Sequence, residues 1–253
     1  MHNPFDSEVD RPPLLHLDGI LPDDEVHVWH VELNNWQTAT ASLFELLAND
    51  ERERASRFKF PAPRDQYIIS RALLRKTLGR YLRVEALDVR FRTTANGKPE
   101  LAGSSDFQFN LSHTDGATAI AIARSRRVGI DVERIKEKTE VMELATRFFS
   151  AREVQWLRSQ PVAEHNSSFF SCWTAKEAYI KAHGQGLSMP LTAFSVLPRP
   201  ESSRLQLEVD NDPDEPGRWS MWRLNFGSGL RAALAVEGEG SKVRVGEWLQ
   251  LPG

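Results

Sequence analysis

The chain of 253 residues holds one cysteine, Cys172, so neither a disulfide framework nor a cysteine-ligated zinc site can be built from it. That thiol reads as a small buried hydrophobe, and a reducing compartment suits it. No apolar run approaches the roughly 20 residues needed to span a bilayer. The opening MHNPFDSEVDRPPLLHLDG lacks the basic start and apolar core of a secretion signal. We therefore expect a cytoplasmic protein without membrane association, beginning with a flexible leader over residues 1–22. Excess charge of one sign is scarce as well: the net charge is −3, which offers no broad basic surface to nucleic acid. The sequence has no phosphate-cradling P-loop, no GxGxxG after a strand, no HExxH and no GxSxG. Nucleotide-fold, zinc-protease and serine-hydrolase readings fall with them.

What is present is ordinary globular composition, 40% hydrophobic and 26% charged, enough to bury a sizeable core. VHVWHVEL alternates Val26, Val28, His30, Glu32 against His27, Trp29, Val31, Leu33, the period of a half-buried strand. Residues 41–82 space their apolar side chains by three and four, which predicts helices separated near Pro61 and Pro63. FQFNLSHTDGATAIAIA reads as two strands around a polar SHTDG loop, after an Asn96-Gly97 turn. RRVGIDVERI reads as a further strand. The second half echoes the first in order: ATRFFS answers ASRFKF, and LNFGSGLRAALAVE answers FNLSHTDGATAIAIA. Two similar α+β halves joined near Arg124 to Val128 follow, with the site expected at their interface. The proline-rich, acidic stretch from Pro198 to Gly217 is expected to be an exposed loop.

Asp131 and Glu133 stand two apart on the GIDVE strand, so both side chains leave one face and can converge on a hard cation such as Mg²⁺. The same pair fits a solvated face beside Arg127 and Arg134, and spacing leaves both readings open. On the helix opened by Trp173, Glu177 and Lys181 lie four apart on one face, ordinarily a surface ion pair worth a few tenths of a kcal/mol. Here Phe169, Phe170, Trp173 and Tyr179 leave little solvated surface, and an unpaired charge next to buried surface costs several kcal/mol. A metal and a phosphate would meet that need. Gly184 and Gly186 stop the helix. Lys98, on the rigid Gly97-Lys98-Pro99 turn, and Ser112-His113, together with Arg75 on the preceding helix, could form a cationic pocket for a phosphate monoester.

In that order, GKP, FNLSH, GIDVE, RFFSAREV and WTAKEAYIKAHGQGL closely resemble the 4′-phosphopantetheinyl transferases of the large, surfactin-synthetase-activating type. The motifs run from Lys98 to Leu187, and the helical block from ERERASRF to RALLRKTLGRYL suits the family. The resemblance implies an α+β fold of two pseudo-twofold-related halves, each with a small, mainly antiparallel sheet packed on helices. Residues 23–126 would hold the 3′-phosphate side of coenzyme A, and residues 127–253 the acids and the catalytic helix. It implies transfer of the 4′-phosphopantetheine arm to a serine of an apo acyl or peptidyl carrier protein, releasing adenosine 3′,5′-bisphosphate.

Mg²⁺, or Mn²⁺ in its place, is the implied metal. By position, Asp131, Glu133 and Glu177 match the family's metal-binding acids, with Glu177 also the candidate base. Lys181 matches the helix lysine near the reacting phosphate. Lys98 and His113 match the residues holding the 3′-phosphate end, and their neighbours Pro99 and Ser112 join that set. Arg54 falls in the basic region before RF. Arg75 rests on helix placement, and Lys176 is counted toward coenzyme A through its place beside Glu177. The WTAKEA form is associated with polyketide and nonribosomal peptide pathways. With both halves in one chain, a monomer is expected. Two other readings compete. A silent nucleotide-binding module would leave gaps in the acidic set, whereas a metal-dependent phosphatase would use the same three acids.

Overall fold

The structure, a computed structural model, describes residues 19–33, 36–94, 97–184, 186, 189–199 and 202–248. Residues 1–18 of the expected leader and Asn96 of the expected turn lie outside these.

Strand β1 (Glu25–Glu32) leads into helices α1 (Thr40–Phe44), α2 (Asn49–Ser56) and α3 (Pro61–Leu82). A hairpin, β2 (Phe91–Thr93) and β3 (Pro99–Leu101), precedes β4 (Phe107–Thr114) and β5 (Ala117–Arg124). The chain then repeats this order. Strand β6 (Val128–Arg134) is followed by α4 (Val141–Phe148), α5 (Ala151–Ser159) and α6 (His165–His183). The hairpin β7 (Phe194–Pro198) and β8 (Leu205–Val209) and the pair β9 (Trp219–Leu224) and β10 (Leu230–Glu237) complete the unit. Pairing repeats as well: β1-β5-β4 in one sheet and β6-β10-β9 in the other, all antiparallel. ASRFKF closes α2 and ATRFFS closes α4, and the two longer echoes lie on strand pairs that hold the same place in their sheets. The symmetry breaks at β11 (Lys242–Glu247), which pairs parallel to β1, so the expected second half gives its last strand to the first sheet.

Four layers result, helix on sheet on sheet on helix. One face of the first sheet, with Trp29, Val31, Ile120 and Ile122, packs on Leu73, Leu74 and Leu78 of α3. Its other face, Val26 and Val28 with the alanines of β5, meets Val128, Ile130, Val132 and Leu234 of the second sheet. The small alanine side chains let the sheets approach closely. Strand β1 is therefore buried on both faces, not one, because a second sheet covers the side that alternation assigns to water.

Helix α3 starts with Pro61, whose missing N–H is one the first turn would leave unused, and stops at Arg83 in the left-handed region, φ 57°. Helix α6 stops at Gly184, φ 84°, as its glycine signal predicts.

Three expectations change. Leu21, assigned to the leader, is only 2% exposed and sits in the first core. The stretch after Pro198 is no simple exposed loop: LQLEV forms β8 and Glu215 is buried. The SHTDG segment is strand through Thr114, with only Asp115 and Gly116 in the turn, so Ser112 and His113 lie on an edge strand. Pairing with β5 carries the strand through Thr114, and the Ser112 and Thr114 hydroxyls accept main-chain N–H groups of the next sheet, where polarity alone suggests a loop. Among the described residues no helix is long and apolar enough to cross a membrane.

Candidate active site

Edge strands β4 and β6 belong to different sheets, yet β6 still has main-chain N–H groups to satisfy on that side. Alternate side chains of β4 satisfy them. Ile130 N donates to Asn110 Oδ1 at 2.9 Å, Val132 N to Ser112 Oγ at 3.3 Å and Arg134 N to Thr114 Oγ1 at 3.1 Å. The intervening residues of β6 face helix α6.

Gly129 sets the depth of that helix. A Cβ there would collide with the Ala178 carbonyl and the Ala182 nitrogen, so only glycine lets α6 ride this low on the strand. Glu177 and Lys181, one turn apart, then overhang Asp131 and Glu133. Lys181 Nζ donates to Asp131 Oδ1 at 2.6 Å and to Ser112 Oγ at 3.1 Å. Ser112 Oγ in turn donates to Asp131 Oδ1 at 2.8 Å, and Thr114 Oγ1 donates to Glu133 Oε2 at 3.0 Å. Leu111, Ser112, His113, Asp131, Glu133, Trp173, Glu177 and Lys181 line a pocket of about 330 Å³.

Crowding of carboxylates shapes its electrostatics. Burial first, and then the charge of Asp131, raise the pKa values of both Glu133 and Glu177. Burial and then the Lys181 ammonium hold His113 below its ordinary value, keeping a neutral imidazole at the pocket's rim. Asp131 Oδ2 is buried and has no hydrogen-bond partner among the described residues. A buried carboxylate oxygen in that state calls for a cation. Among the described residues, no three acids, histidines or cysteines form a cage able to hold a metal ion by themselves. Asp131, Glu133 and Glu177 are hard oxygen donors, the type a divalent ion such as Mg²⁺ takes when water and substrate oxygens complete its shell.

The remaining expected residues divide. Arg54, at the end of α2, lies 5.3 Å over the Tyr67 ring, and its charge helps to depress His113. Lys98 Nζ donates to the Lys181 carbonyl at 2.8 Å and to the Val128 carbonyl at 3.4 Å, which ties the first half's hairpin to the end of α6 and the start of β6. Lys98 and Pro99 are outside the pocket lining.

Arg75 is not a pocket residue. It is 3% exposed, paired with Glu51, and donates to the Ala86 and Val89 carbonyls at 3.0 and 2.9 Å. Its place on α3 suggested the cleft, but Glu51, 24 positions earlier, holds it in the first half's interior. Lys176 is not one either. It is fully buried, with Nζ donating to Glu153 Oε1 and Oε2 at 2.9 and 2.7 Å and to the Phe194 carbonyl at 2.7 Å. One residue before Glu177 on a helix is a turn of about 100°, enough to aim Lys176 away from the pocket and toward α5 and β7.

Thr114 escaped the sequence reading, as did the bonding role of Ser112. The signal was available in the alternation Asn110, Ser112, Thr114, which puts three short polar side chains on one strand face.

A model described as the 4′-phosphopantetheinyl transferase superfamily matches residues 127–235, and one described as 4′-phosphopantetheinyl transferase, N-terminal, matches residues 27–125. The chain is 35% identical over 239 residues to the 4′-phosphopantetheinyl transferase HetI of Nostoc sp., covering 91% of this chain and 93% of that protein. It is 32% identical over 160 residues to the 4′-phosphopantetheinyl transferase Sfp of Bacillus subtilis, covering 63% of this chain and 70% of that protein. The solved holo-acyl-carrier-protein synthase of Thermotoga maritima, 22% identical, matches with a TM-score of 0.36 over 44% of this chain and 62% of that one. Two adjoining family matches, and a relative aligned over nearly the whole of both chains, make this protein a member of the 4′-phosphopantetheinyl transferase superfamily.

Proposed function

We propose that the pocket between β4, β6 and α6 is where this transferase moves the 4′-phosphopantetheine arm of coenzyme A onto a serine of an apo acyl or peptidyl carrier protein. The observation that carries this reading is the convergence of Asp131, Glu133, Glu177 and Lys181 on one pocket at the seam of the two halves.

In the reaction the serine oxygen bonds to the β-phosphorus of coenzyme A. The bond from that phosphorus to the bridging oxygen breaks, and adenosine 3′,5′-bisphosphate leaves. Glu177 takes the serine proton. It stands on α6 facing Asp131 and Glu133 across the pocket. Lys181, anchored to Asp131, is placed to stabilise negative charge on the leaving phosphate oxygen. Asp131 and Glu133, with Glu177, would hold a divalent cation, Mg²⁺ or Mn²⁺. When bound, that ion supplies Lewis-acid neutralisation of the pyrophosphate oxygens. His113, with Arg54 near it, forms the side that receives the 3′-phosphate.

Residues 23–126 would thus supply the coenzyme A 3′-phosphate side, and residues 127–253 the acids and the catalytic helix. Both halves come from one chain, so the site needs no second subunit and the enzyme works as a monomer. Its compartment is the cytoplasm, where Cys172 stays reduced. Mixing the protein with apo carrier protein, coenzyme A and Mg²⁺ tests the reading by the mass gain of a phosphopantetheine arm. Glu177→Gln should cut that modification by about 10³-fold, within the range for losing a general base, while leaving the melting temperature unreduced. Near-normal modification by the variant would remove Glu177 from the mechanism.

A further inference from the structure

We infer that Thr114 is a positioning residue: its hydroxyl, supplied by the first half, fixes Glu133 of the second half for cation binding. The inference rests on the proposed role of Asp131 and Glu133 as cation-holding acids. It comes from the repeat in the bonding across the seam. Thr114 Oγ1 accepts the Arg134 N–H and donates its own hydrogen to Glu133 Oε2. Two residues earlier Ser112 Oγ does the same, accepting the Val132 N–H and donating to Asp131 Oδ1. Asn110 Oδ1 accepts the Ile130 N–H, but the preceding residue there is Gly129, which has no carboxylate to fix.

The proton directions are forced. A hydroxyl has one hydrogen, and a main-chain N–H can only donate, so the hydroxyl oxygen accepts and its hydrogen goes to the carboxylate. Each acid is therefore held through one named oxygen. Among the described residues Asp131 Oδ2 is left without a hydrogen-bond partner, the state expected of an oxygen kept for a ligand. Thr114 is 7% exposed and Ser112 3%, so water does not compete well for either bond. Removing such an outer partner of a ligating carboxylate typically weakens metal affinity 10–100-fold. The two bonds also make the geometry of both acids depend on the docking of β4 against β6, since donors and acceptors come from different halves.

Thr114→Val keeps the shape and deletes the hydroxyl, and Thr114→Ser restores it. Calorimetric titration of Mg²⁺ into the protein in the presence of coenzyme A should show affinity falling about 10-fold in Thr114→Val and returning in Thr114→Ser. Carrier-protein assays should show the matching rise in the Mg²⁺ concentration for half-maximal rate, with KM for coenzyme A unchanged. In a Glu133→Gln background, Thr114→Val should add no further loss of Mg²⁺ affinity. If Thr114→Val lowers the melting temperature but leaves Mg²⁺ affinity alone, Thr114 merely satisfies the Arg134 N–H and the inference falls. It falls equally if the Thr114→Val loss is undiminished in Glu133→Gln. If Glu133→Gln by itself leaves Mg²⁺ affinity unchanged, the cation-holding role of Glu133 fails, and the inference with it. Should Thr114→Val not fold, Thr114→Ala takes its place in the same titrations.

Discussion

Lys176 and Lys181 share one helix and differ in almost everything that decides what a lysine does. Lys176 has no exposed surface, and its three hydrogens are taken by both oxygens of Glu153 and the Phe194 carbonyl. Glu153 is closed on its side too, accepting from the main chain of Ser150 at the start of α5 and of Val196 in β7. Lys181 keeps 28% of its side chain exposed and shares Asp131 Oδ1 with Ser112, while the other Asp131 oxygen has no hydrogen-bond partner among the described residues. One ion pair is saturated and joins three elements. The other is left incomplete at the wall of a pocket. A satisfied buried charge fixes a fold, and an incompletely satisfied one is available for chemistry.

The sharpest way to break that comparison is Lys176→Met. It strands Glu153 without its cation, and we expect a loss of about 3–5 kcal/mol in urea unfolding. The double change Lys176→Met with Glu153→Leu should recover much of that stability, because apolar replacement of both partners removes the uncompensated charge. Loss of activity in the double variant with stability restored would show that the closed pair has a part in the reaction after all.

A third treatment of charge is seen at His30 on β1, which stacks on Phe226 between the sheets with ring centroids 4.4 Å apart. Burial lowers its pKa from 6.5 to about 4, so the fold favours the neutral ring. An unfolded chain binds that proton near 6.5, so the contribution of His30 is intact above 6.5 and is lost as pH falls from there toward 4. Discounted for solvent and relaxation, the loss should be on the order of 2 kcal/mol. Urea midpoints of the protein and of His30→Leu, measured across that window, should diverge as the wild type weakens. Parallel curves would place the acid sensitivity elsewhere.

The smallest expected effect concerns the open side of the pocket. His113→Ala should raise KM for coenzyme A about tenfold, near 1.4 kcal/mol, with a much weaker effect on dephospho-coenzyme A. An equal effect on both substrates would detach His113 from the 3′-phosphate.

Which residues were legible from sequence follows the range of their partners. Asp131 with Glu133, and Glu177 with Lys181, declare themselves through the short periods of strand and helix, and the order of their motifs pointed to the family. Arg75 and Lys176 misled because their carboxylates lie 24 and 23 positions away, on helices whose approach no local pattern encodes. The twofold repeat was readable from two echoes. The strand LQLEV was hidden among prolines and acids, whose turn signals outweigh five alternating residues. Strand β1 looked half-buried because alternation reports contrast between neighbours and is blind to a second sheet laid over the polar side.

The parallel pairing of β11 with β1 also has a consequence for synthesis. Glu25 meets Lys242, 217 positions later (242 minus 25). At about 5–20 residues per second, a ribosome needs roughly 10–40 s to cover that distance. Throughout that time the outer edge of β1 has no strand to pair with, the condition in which an edge recruits another chain. The first half of the protein is made first and completed last.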